Sequence, residues 1–461
     1  MGRRGRMAAG AMLGAGVMIV GLVTVAAPAA AAPPETVTLT MLDSTGAPLS
    51  GGTASYYSRG WHNVPGATDA QGHLAVELPA DVSQRYLSIA MEHEGTRDQQ
   101  SYPELTASNY TFRTALATVK LVDADGTALD AGTHVAYYAR GWHPVGSGTT
   151  SGGQVTQEMF PGSYSFEMTY NNSRQQQNRQ VVESPGSDVV FQTGALTVNY
   201  SGGVGYYYRG WHAFNKPTEQ FLPGTRTFYP DNQTDCAVEI PIAAGDHLVK
   251  SIVKATLVDS NGQSLAGGEA QAYVGGWKPL GTTNDRGRAC AVYDGSGNHI
   301  SVGMVYNGTR TQIGPGQAEV YAFQTEAVTV ELRDSANALI ADGGQPSYYA
   351  GRWHNLGPTA GGSTTVQMLP GSYSFAMTYQ GTREQKDDVG IADTGPTTVT
   401  FRTGPVHSDS AAAKSYYAGG WRPFTQDMEL LPNRSVPFAF TDGTPQTSFD
   451  VIGNAATTHI H

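Results

Sequence analysis

The sequence predicts an all-β protein: a tandem array of six small antiparallel β-sandwich modules that follows an N-terminal export signal. Three observations predict it. Apolar and polar residues alternate with period two in nearly every segment after the signal, and no segment there has the apolar stripe of a helix. Turn-forming residues are abundant, with 57 glycines and 25 prolines among 461 residues. The six tryptophans each lie in a copy of one motif, Tyr-x-x-x-Trp.

The first 31 residues read as a secretory signal peptide. They have a basic start, an apolar run and small residues suited to cleavage after Ala31. A retained membrane anchor is the alternative. No second apolar run of spanning length follows, so we expect no membrane insertion after cleavage. The mature protein is then secreted and extracellular, either released or held non-covalently at the cell envelope. The formal net charge is −11 without a basic cluster, which argues against nucleic-acid binding.

The repeat has the length of a small domain, since the tryptophans are roughly 66 to 81 residues apart. Four copies open with a strand, an Asp and a turn, as in "TMLDSTGAPL", whereas the third and sixth copies lack this opening. The order is therefore full, full, short, twice over. The predicted modules 1 to 6 are residues 32–114, 115–193, 194–251, 252–325, 326–403 and 404–461. They form two halves, 35–251 and 252–461, and we expect a cut near 251–253 to leave fragments that fold alone.

A full module contains about seven short strands. "SYSFEMTY" and "SYSFAMTY" each place four large side chains on one face of a strand. Leu-Pro-Gly or Phe-Pro-Gly precedes such strands, and Asn-Asn, Asn-Gly or Gln-Gly follows as a hairpin turn. Seven antiparallel strands in this pattern are typical of an Ig-like sandwich. Modules this small bury a limited share of their surface, so packing between neighbours is expected to matter.

The stretches "VTLTMLDSTGAPL", "TDAQG", "TNDRG" and "LPGSYSF" carry a resemblance to a known family. They resemble the collagen-adhesin B-type and carboxypeptidase-regulatory-like (transthyretin-like, or prealbumin-like) sandwiches of bacterial secreted and surface proteins. The resemblance covers the four full modules better than the two short ones. It implies a fold, and because its motifs record turn chemistry it implies little about activity.

The two cysteines leave two alternatives open. Cys236 alternates with Val238 and Ile240, and Cys290 alternates with Val292, so both thiols are predicted to point into cores, and those cores belong to different modules. We expect buried free thiols. The alternative is a disulfide, which an exported chain with two cysteines permits.

The candidate binding residues are six Tyr and Trp pairs. They are Tyr57 and Trp61, Tyr138 and Trp142, Tyr207 and Trp211, Tyr273 and Trp277, Tyr349 and Trp353, and Tyr417 and Trp421. Three residues separate the members of each pair, which suits a three-residue hairpin loop whose last residue, usually Gly, is left-handed. The fifth copy has Arg352 in place of that Gly, so its turn geometry is in doubt.

Alternation indicates which way the pairs point. The third residue after each Trp is large and apolar, and the second residue before each Tyr is small or polar, so Tyr and Trp are predicted to face solvent together. A bulge at the turn would reverse the phase and make each Trp a core or module-interface residue instead. Both readings stay open at this stage.

Nothing in the sequence predicts catalysis. HExxH, GxSxG and CxxC are absent, and no Asp or Glu pair recurs in equivalent places. The histidines after Trp become Lys278 and Arg422 in two copies, so we read them as half-buried rim residues and expect no metal site and no cofactor. We read an Arg that recurs after a hairpin turn (Arg97, Arg174, Arg310 and Arg383) as a surface residue packing over aromatics.

Two functions fit these features. The first is a secreted, non-enzymatic binding or adhesion protein whose aromatic pairs contact extracellular or cell-wall polysaccharide, with weak sites multiplied by avidity. The second is a purely structural extracellular stalk, in which the tryptophans lie in cores or seal one module to the next.

Overall fold

The computed structural model describes residues 35–79, 87–102, 107–130, 132–295, 300–316, 319–409, 413–441, 446–453 and 457–460. The predicted signal peptide lies outside the described residues. Within them the chain is built of 41 strands, and its one helical element is a single 3-10 turn, η1 (Thr234–Cys236). No helix in this part of the chain is long and apolar enough to cross a membrane. The prediction of an all-β module array is confirmed.

Modules 1, 2, 5 and 6 are each a sandwich of a three-stranded and a four-stranded sheet, whereas modules 3 and 4 each have a four-stranded sheet and share one five-stranded sheet through the strand His247–Val258. In each module the first strand lies between the fourth and the seventh, and the second strand lies between the third and the fifth, with the sixth outside the fifth. Modules 3 and 6, which lack the sequence opening of the others, have the same seven strands. The missing opening therefore shortens a turn without removing a strand.

The strands of the first three modules run as follows. Module 1 contains β1 (Glu35–Leu42), β2 (Thr53–Tyr57), β3 (Trp61–Asn63), β4 (His73–Leu78), β5 (Leu87–His93), β6 (Thr96–Tyr102) and β7 (Asn109–Arg113). Module 2 contains β8 (Ala115–Val122), β9 (Thr133–Tyr138), β10 (Trp142–Pro144), β11 (Gln154–Met159), β12 (Gly162–Tyr170), β13 (Ser173–Val182) and β14 (Gly186–Gln192). Module 3 contains β15 (Gly194–Asn199), β16 (Val204–Tyr207), β17 (Trp211–Ala213), β18 (Thr218–Phe221), β19 (Gly224–Pro230), β20 (Val238–Ile242) and β21 (His247–Val258).

The remaining modules repeat the scheme. Module 4 shares β21 and adds β22 (Glu269–Tyr273), β23 (Trp277–Thr282), β24 (Arg288–Asp294), β25 (Ile300–Tyr306), β26 (Thr309–Gly316) and β27 (Val320–Gln324). Module 5 contains β28 (Glu326–Arg333), β29 (Gln345–Tyr349), β30 (Trp353–Asn355), β31 (Ser363–Met368), β32 (Gly371–Tyr379), β33 (Thr382–Ile391) and β34 (Thr397–Arg402). Module 6 contains β35 (Gly404–Ser408), β36 (Ala413–Tyr417), β37 (Trp421–Pro423), β38 (Asp427–Leu430), β39 (Asn433–Phe440), β40 (Thr447–Val451) and β41 (Thr458–Ile460).

One strand pairing differs from the fully antiparallel expectation. The first and last strands of a module run parallel, as β1 does with β7 and β28 does with β34. Side chains alternate with period two in both kinds of ladder, so the sequence pattern does not distinguish them.

The chain forms two compact units. Of the described residues, the first comprises those up to 117 together with 158–162 and 181–187, and the second comprises those within 118–157, 163–180 and 188–460. Each is described here by itself. In both, the cores lie between the two sheets of a module and consist of the inward-facing residues of alternating strands.

The Leu-Pro-Gly motif links neighbouring modules of the second unit. Leu369 precedes strand β32 of module 5, yet its fully buried side chain belongs to the core of module 4. Its backbone N–H donates to the Oγ1 of Thr309, 3.0 Å away, at the start of β26 in module 4. Leu431 occupies the core of module 5 in the same way and bonds to Thr382. The motif therefore plugs the core of the module before it.

A buried threonine that follows the last strand of one module bonds to the fourth strand of the next module. Thr325 is fully buried, and its Oγ1 donates to the Oε1 of Gln367 at 2.7 Å. Thr193 donates to Gln220 at 2.6 Å, and Thr403 donates to Glu429 at 2.5 Å. Within the first unit, Thr114 with Glu158 makes the equivalent contact, and the bond from the N–H of Phe160 to Thr96 is the counterpart of the bond from Leu369 to Thr309.

The junction of modules 3 and 4 is built differently, because β21 runs through it without a break. Residues 247–251 of β21 pair with β15, and residues 254–258 pair with β27. Ile252 lies in the core of module 3, and Val253 lies in the core of module 4. The predicted module boundary at 251/252 thus falls inside one strand.

The cysteine prediction is wrong: Cys236 and Cys290 form a disulfide, with their Cα atoms 5.5 Å apart. Cys290 and Val292 lie on the face of β24 that packs against the core of module 3, not against that of module 4. Both sulfurs therefore meet in one core. The expectation of separate cores failed because β24 borders both modules, and a sequence does not show which one each face serves.

Candidate functional site

All six Tyr and Trp pairs are brought together across one short hairpin. In each module Tyr ends the second strand and Trp begins the third, and the two are directly opposite in the ladder. The ring centroids are 5.5 to 6.0 Å apart with the rings edge to face. Aromatic pairs prefer this arrangement because the positive edge of one ring meets the negative face of the other.

The loop between them has three residues, and the last, predicted to be left-handed, has a positive φ only in modules 4 and 6, as Gly276 (146°) and Gly420 (157°). The residue that is left-handed in every module is the second. That position is Arg59, Arg140 or Arg209 in the first three modules, with φ between 53° and 58°. In module 5 it is Gly351, with φ of 73°, so Arg352 at the third position needs no left-handed backbone. The doubt about the fifth hairpin is thereby removed.

The pairs lie on the outer face of the four-stranded sheet. The six Trp side chains are 37% to 51% exposed and the six Tyr side chains are 45% to 62% exposed. Val64, Val145, Leu280 and Phe424, which follow Trp by three residues, are buried. The alternation of side chains therefore continues through the hairpin without a reversal. Each Trp faces solvent and is not a core residue.

Small residues beside the pair let the indole lie close to the sheet. Trp277 shows this most clearly, because a Cβ added to Gly303 of β25 would lie 3.2 Å from its ring. Ala90 and Ala376 occupy the equivalent position in modules 1 and 5. Each indole therefore has one side against the sheet and the remainder open to solvent.

The recurring arginine contacts the indole in three modules. The guanidinium carbon of Arg97 lies 4.1 Å from the ring centroid of Trp61, and those of Arg310 and Arg383 lie 4.6 Å from Trp277 and Trp353. Such cation–π contacts contribute about 0.5–1 kcal/mol at exposed sites. The predicted packing over aromatics is found in these modules.

Module 2 departs from this arrangement. Arg174 forms an ion pair with Glu167, which raises the pKa of Arg174 through the hydrogen bond between them. Glu167 stands where other modules have a small residue or Tyr229, and it helps line an open groove of about 530 Å³ beside Trp142. Glu167 was not among the binding residues predicted from the sequence. Aligning the copies on β12 would have shown a carboxylate breaking a series of small residues.

Three of the histidines after Trp, His143, His212 and His354, are half-buried as predicted, whereas His62 is exposed. His143 stacks on Tyr137 and His354 stacks on Tyr348, with centroids 5.5 and 4.9 Å apart. His212 is bonded to the carbonyl oxygen of Tyr208 at 3.0 Å and contacts the side chain of Asn172 in module 2 at 3.1 Å. Each ring thus braces its hairpin, and that of His212 also contacts the turn of the preceding module.

The arrangement is suited to binding without covalent chemistry. It repeats an exposed aromatic surface six times, flanked by cations in three modules and by a carboxylate in one. Tyr and Trp side chains combine a large apolar ring with one polar group, and they are enriched at interfaces for that reason. Among the described residues no cluster of His, Cys, Asp or Glu has the arrangement of a metal site.

Comparison with known proteins gives no family assignment. No family model matches the chain, and no curated protein matches it significantly. The resemblance to collagen-adhesin B-type and carboxypeptidase-regulatory-like sandwiches therefore stays a prediction.

Solved structures similar to this chain include bacterial pilins. A Streptococcal ancillary pilin is 10% identical over 46% of this chain and 98% of that one, with a TM-score of 0.16. The Bacillus anthracis TIE protein is 12% identical over 80% and 74%, with a TM-score of 0.17. BcpA, the major pilin subunit of Bacillus cereus, is 10% identical over 80% and 99%, with a TM-score of 0.14. TM-scores this low describe no common arrangement, and we base no functional argument on them.

Proposed function

We propose that this chain is a secreted, non-enzymatic binding protein that attaches to extracellular or cell-wall polysaccharide through its six Tyr and Trp pairs. The observation that carries the proposal is the repetition of one exposed aromatic surface in every module. Large aromatic side chains are usually buried, since each buries 150–250 Å² when it can. Six tryptophans kept 37% to 51% exposed in one geometry are not needed for the cores.

The cores are supplied by other aromatic residues. Tyr137, Phe166 and Phe191 are fully buried in module 2, while Tyr138 and Trp142 of the same module are exposed. A weak site in each module becomes strong attachment when several engage one polymer, because the later contacts are intramolecular. A repetitive polysaccharide is the ligand class that offers such repeated contacts.

A structural role is the second candidate, and the module junctions favour it. Plugs such as Leu369, buried threonines such as Thr325 and the continuous strand β21 couple neighbouring modules. In this candidate the aromatic pairs have no ligand.

Retention on polysaccharide distinguishes the two. The full chain is passed over insoluble cellulose, chitin and bacterial cell-wall preparations, and a variant with all six Trp changed to Ala is compared with it. Retention of the wild type and loss in the variant are expected.

The chain offers a matched control in six exposed aliphatic residues. They are Val181, Val190, Val249, Ile313, Val320 and Leu339, which are 38% to 57% exposed. Changing all six to Ala should leave retention intact. Equal behaviour of the two variants, or no retention of the wild type on any of these materials, would refute the binding proposal and favour the structural one.

A further inference from the structure

We infer that the groove beside Trp142 is the principal carbohydrate site of the chain and that it takes an uncharged hexose unit. The inference rests on the proposed function and names one of the six pairs as different from the rest. The groove beside Trp142 has a volume of about 530 Å³, which is within the range of about 300–1,000 Å³ that ligand sites commonly have.

Strand register puts an aromatic ring and a carboxylate on one face of the sheet. Trp142 of β10 is opposite Tyr138 of β9, and Tyr138 is opposite Ser165 of β12. Two residues along the same strands, Ala136 is opposite Glu167. Residues two apart in a strand point to the same face, so Trp142 and Glu167 flank one groove, diagonally across β9.

The other modules lack the carboxylate. The position of Glu167 is Ala90, Tyr229, Gly303, Ala376 or Ala439 elsewhere. Arg97, Arg310 and Arg383 lie over their indoles, whereas Arg174 is bonded to Glu167. Within the described chain, the ring of Trp142 has Tyr138 as its aromatic contact and no guanidinium over it. An indole face is therefore free in this module for a ligand.

The chemistry of the groove favours a neutral sugar. A pyranose presents C–H bonds on its faces, which pack on an indole, and hydroxyl groups at its edge. The Glu167 carboxylate accepts hydrogen bonds from such hydroxyls, and hydrogen bonds to an ionised group are stronger than neutral ones. Arg174 holds that carboxylate in place. A uronate or phosphate group gains no comparable contact, because the guanidinium of Arg174 is already paired with Glu167.

The test measures the affinity of the full chain for cellohexaose, a neutral oligomer, and for polygalacturonate by calorimetry. Trp142→Ala should weaken cellohexaose binding tenfold or more, and Glu167→Gln should weaken it about threefold. Trp353→Ala, which removes the pair of module 5, should weaken it less than Trp142→Ala does. The matched control, Val190→Ala on an exposed position of module 2 outside the groove, should change it less than twofold. Circular dichroism and the urea midpoint confirm that each variant folds, and Trp142→Phe, which keeps a ring, should recover part of the affinity.

The outcomes separate this inference from the proposed function. If the wild type is retained by polysaccharide but Trp142→Ala and Trp353→Ala weaken cellohexaose binding equally, the inference is wrong while the proposed function stands. Tighter binding of polygalacturonate than of cellohexaose would overturn it as well. If the wild type is retained by no polysaccharide, both fail.

Discussion

Adjacent tyrosines in this chain differ sharply in solvent exposure. Tyr137 is fully buried, whereas Tyr138 is 49% exposed, and Tyr416 and Tyr417 differ in the same way. The two rings point to opposite faces of one strand, so a one-residue change of phase would exchange core and surface. The proposed site depends on this alternation.

We expect the half-buried side chain of His93 to make the stability of the first module depend on pH. Burial lowers the pKa of His93 below 6.5 and outweighs the attraction of Glu94 and Glu158. Its Nδ1 is buried and, among the described residues, lacks a hydrogen-bond partner. A lowered pKa means that the unfolded chain binds more protons near pH 6, so stability is full above the unfolded pKa and falls as the pH drops through it.

The matched variant is His93→Tyr, because the corresponding residues are Tyr170, Tyr306 and Tyr379. Hydrogen exchange of β5 amides, measured with urea between about pH 5.5 and pH 7.5, gives the local free energy of unfolding across the titration range. The wild type should lose stability toward the lower pH and the variant should lose less. Parallel curves for the two proteins would show that His93 is not the group responsible.

At the scale of the element, the hairpin that carries each aromatic pair has a left-handed residue at the second loop position. In module 5 this is Gly351, whose added Cβ would meet nothing within 4 Å. Gly351→Ala should therefore act through the backbone alone and destabilise module 5 by about 1–2 kcal/mol. Gly60→Ala, at a position without positive φ and equally free of contacts, should change stability by less than about 0.5 kcal/mol.

Urea unfolding of both variants measures this difference. An equal cost at the two positions would mean that the left-handed residue has been misplaced in the loop. A cost at Gly60 alone would restore the sequence prediction that the last loop residue is left-handed.

At the scale of the whole molecule, modules are coupled by residues that belong to the next module. Met368 and Leu369 are neighbours in the chain and both are fully buried, yet Met368 lies in the core of module 5 and Leu369 in the core of module 4. Each change to Ala should cost about 2–5 kcal/mol. Leu369→Ala should lower hydrogen-exchange protection in β22 and β25, and Met368→Ala should lower it in β32 and β34.

Loss of hydrogen-exchange protection in the same strands from both variants would contradict the assignment of Leu369 to the core of module 4.

The coupling between modules also changes the expectation for a cut near residues 251–253. Such a cut would divide β21 between two cores and separate Ile252 from Val253, so we expect both fragments to expose apolar surface.

The sequence by itself determined the strand pattern, the six modules and the pairing of each Tyr with its Trp. These follow from local alternation and turn chemistry, which act over a few residues. The tertiary structure alone decided that Trp faces solvent, because a bulge of one residue would have reversed the alternation. It also decided that Cys236 meets Cys290, that Leu369 fills a neighbour's core and that Glu167 stands beside Trp142. Those relations join residues distant in the chain, and their partners depend on how strands and modules pack, which no local pattern encodes.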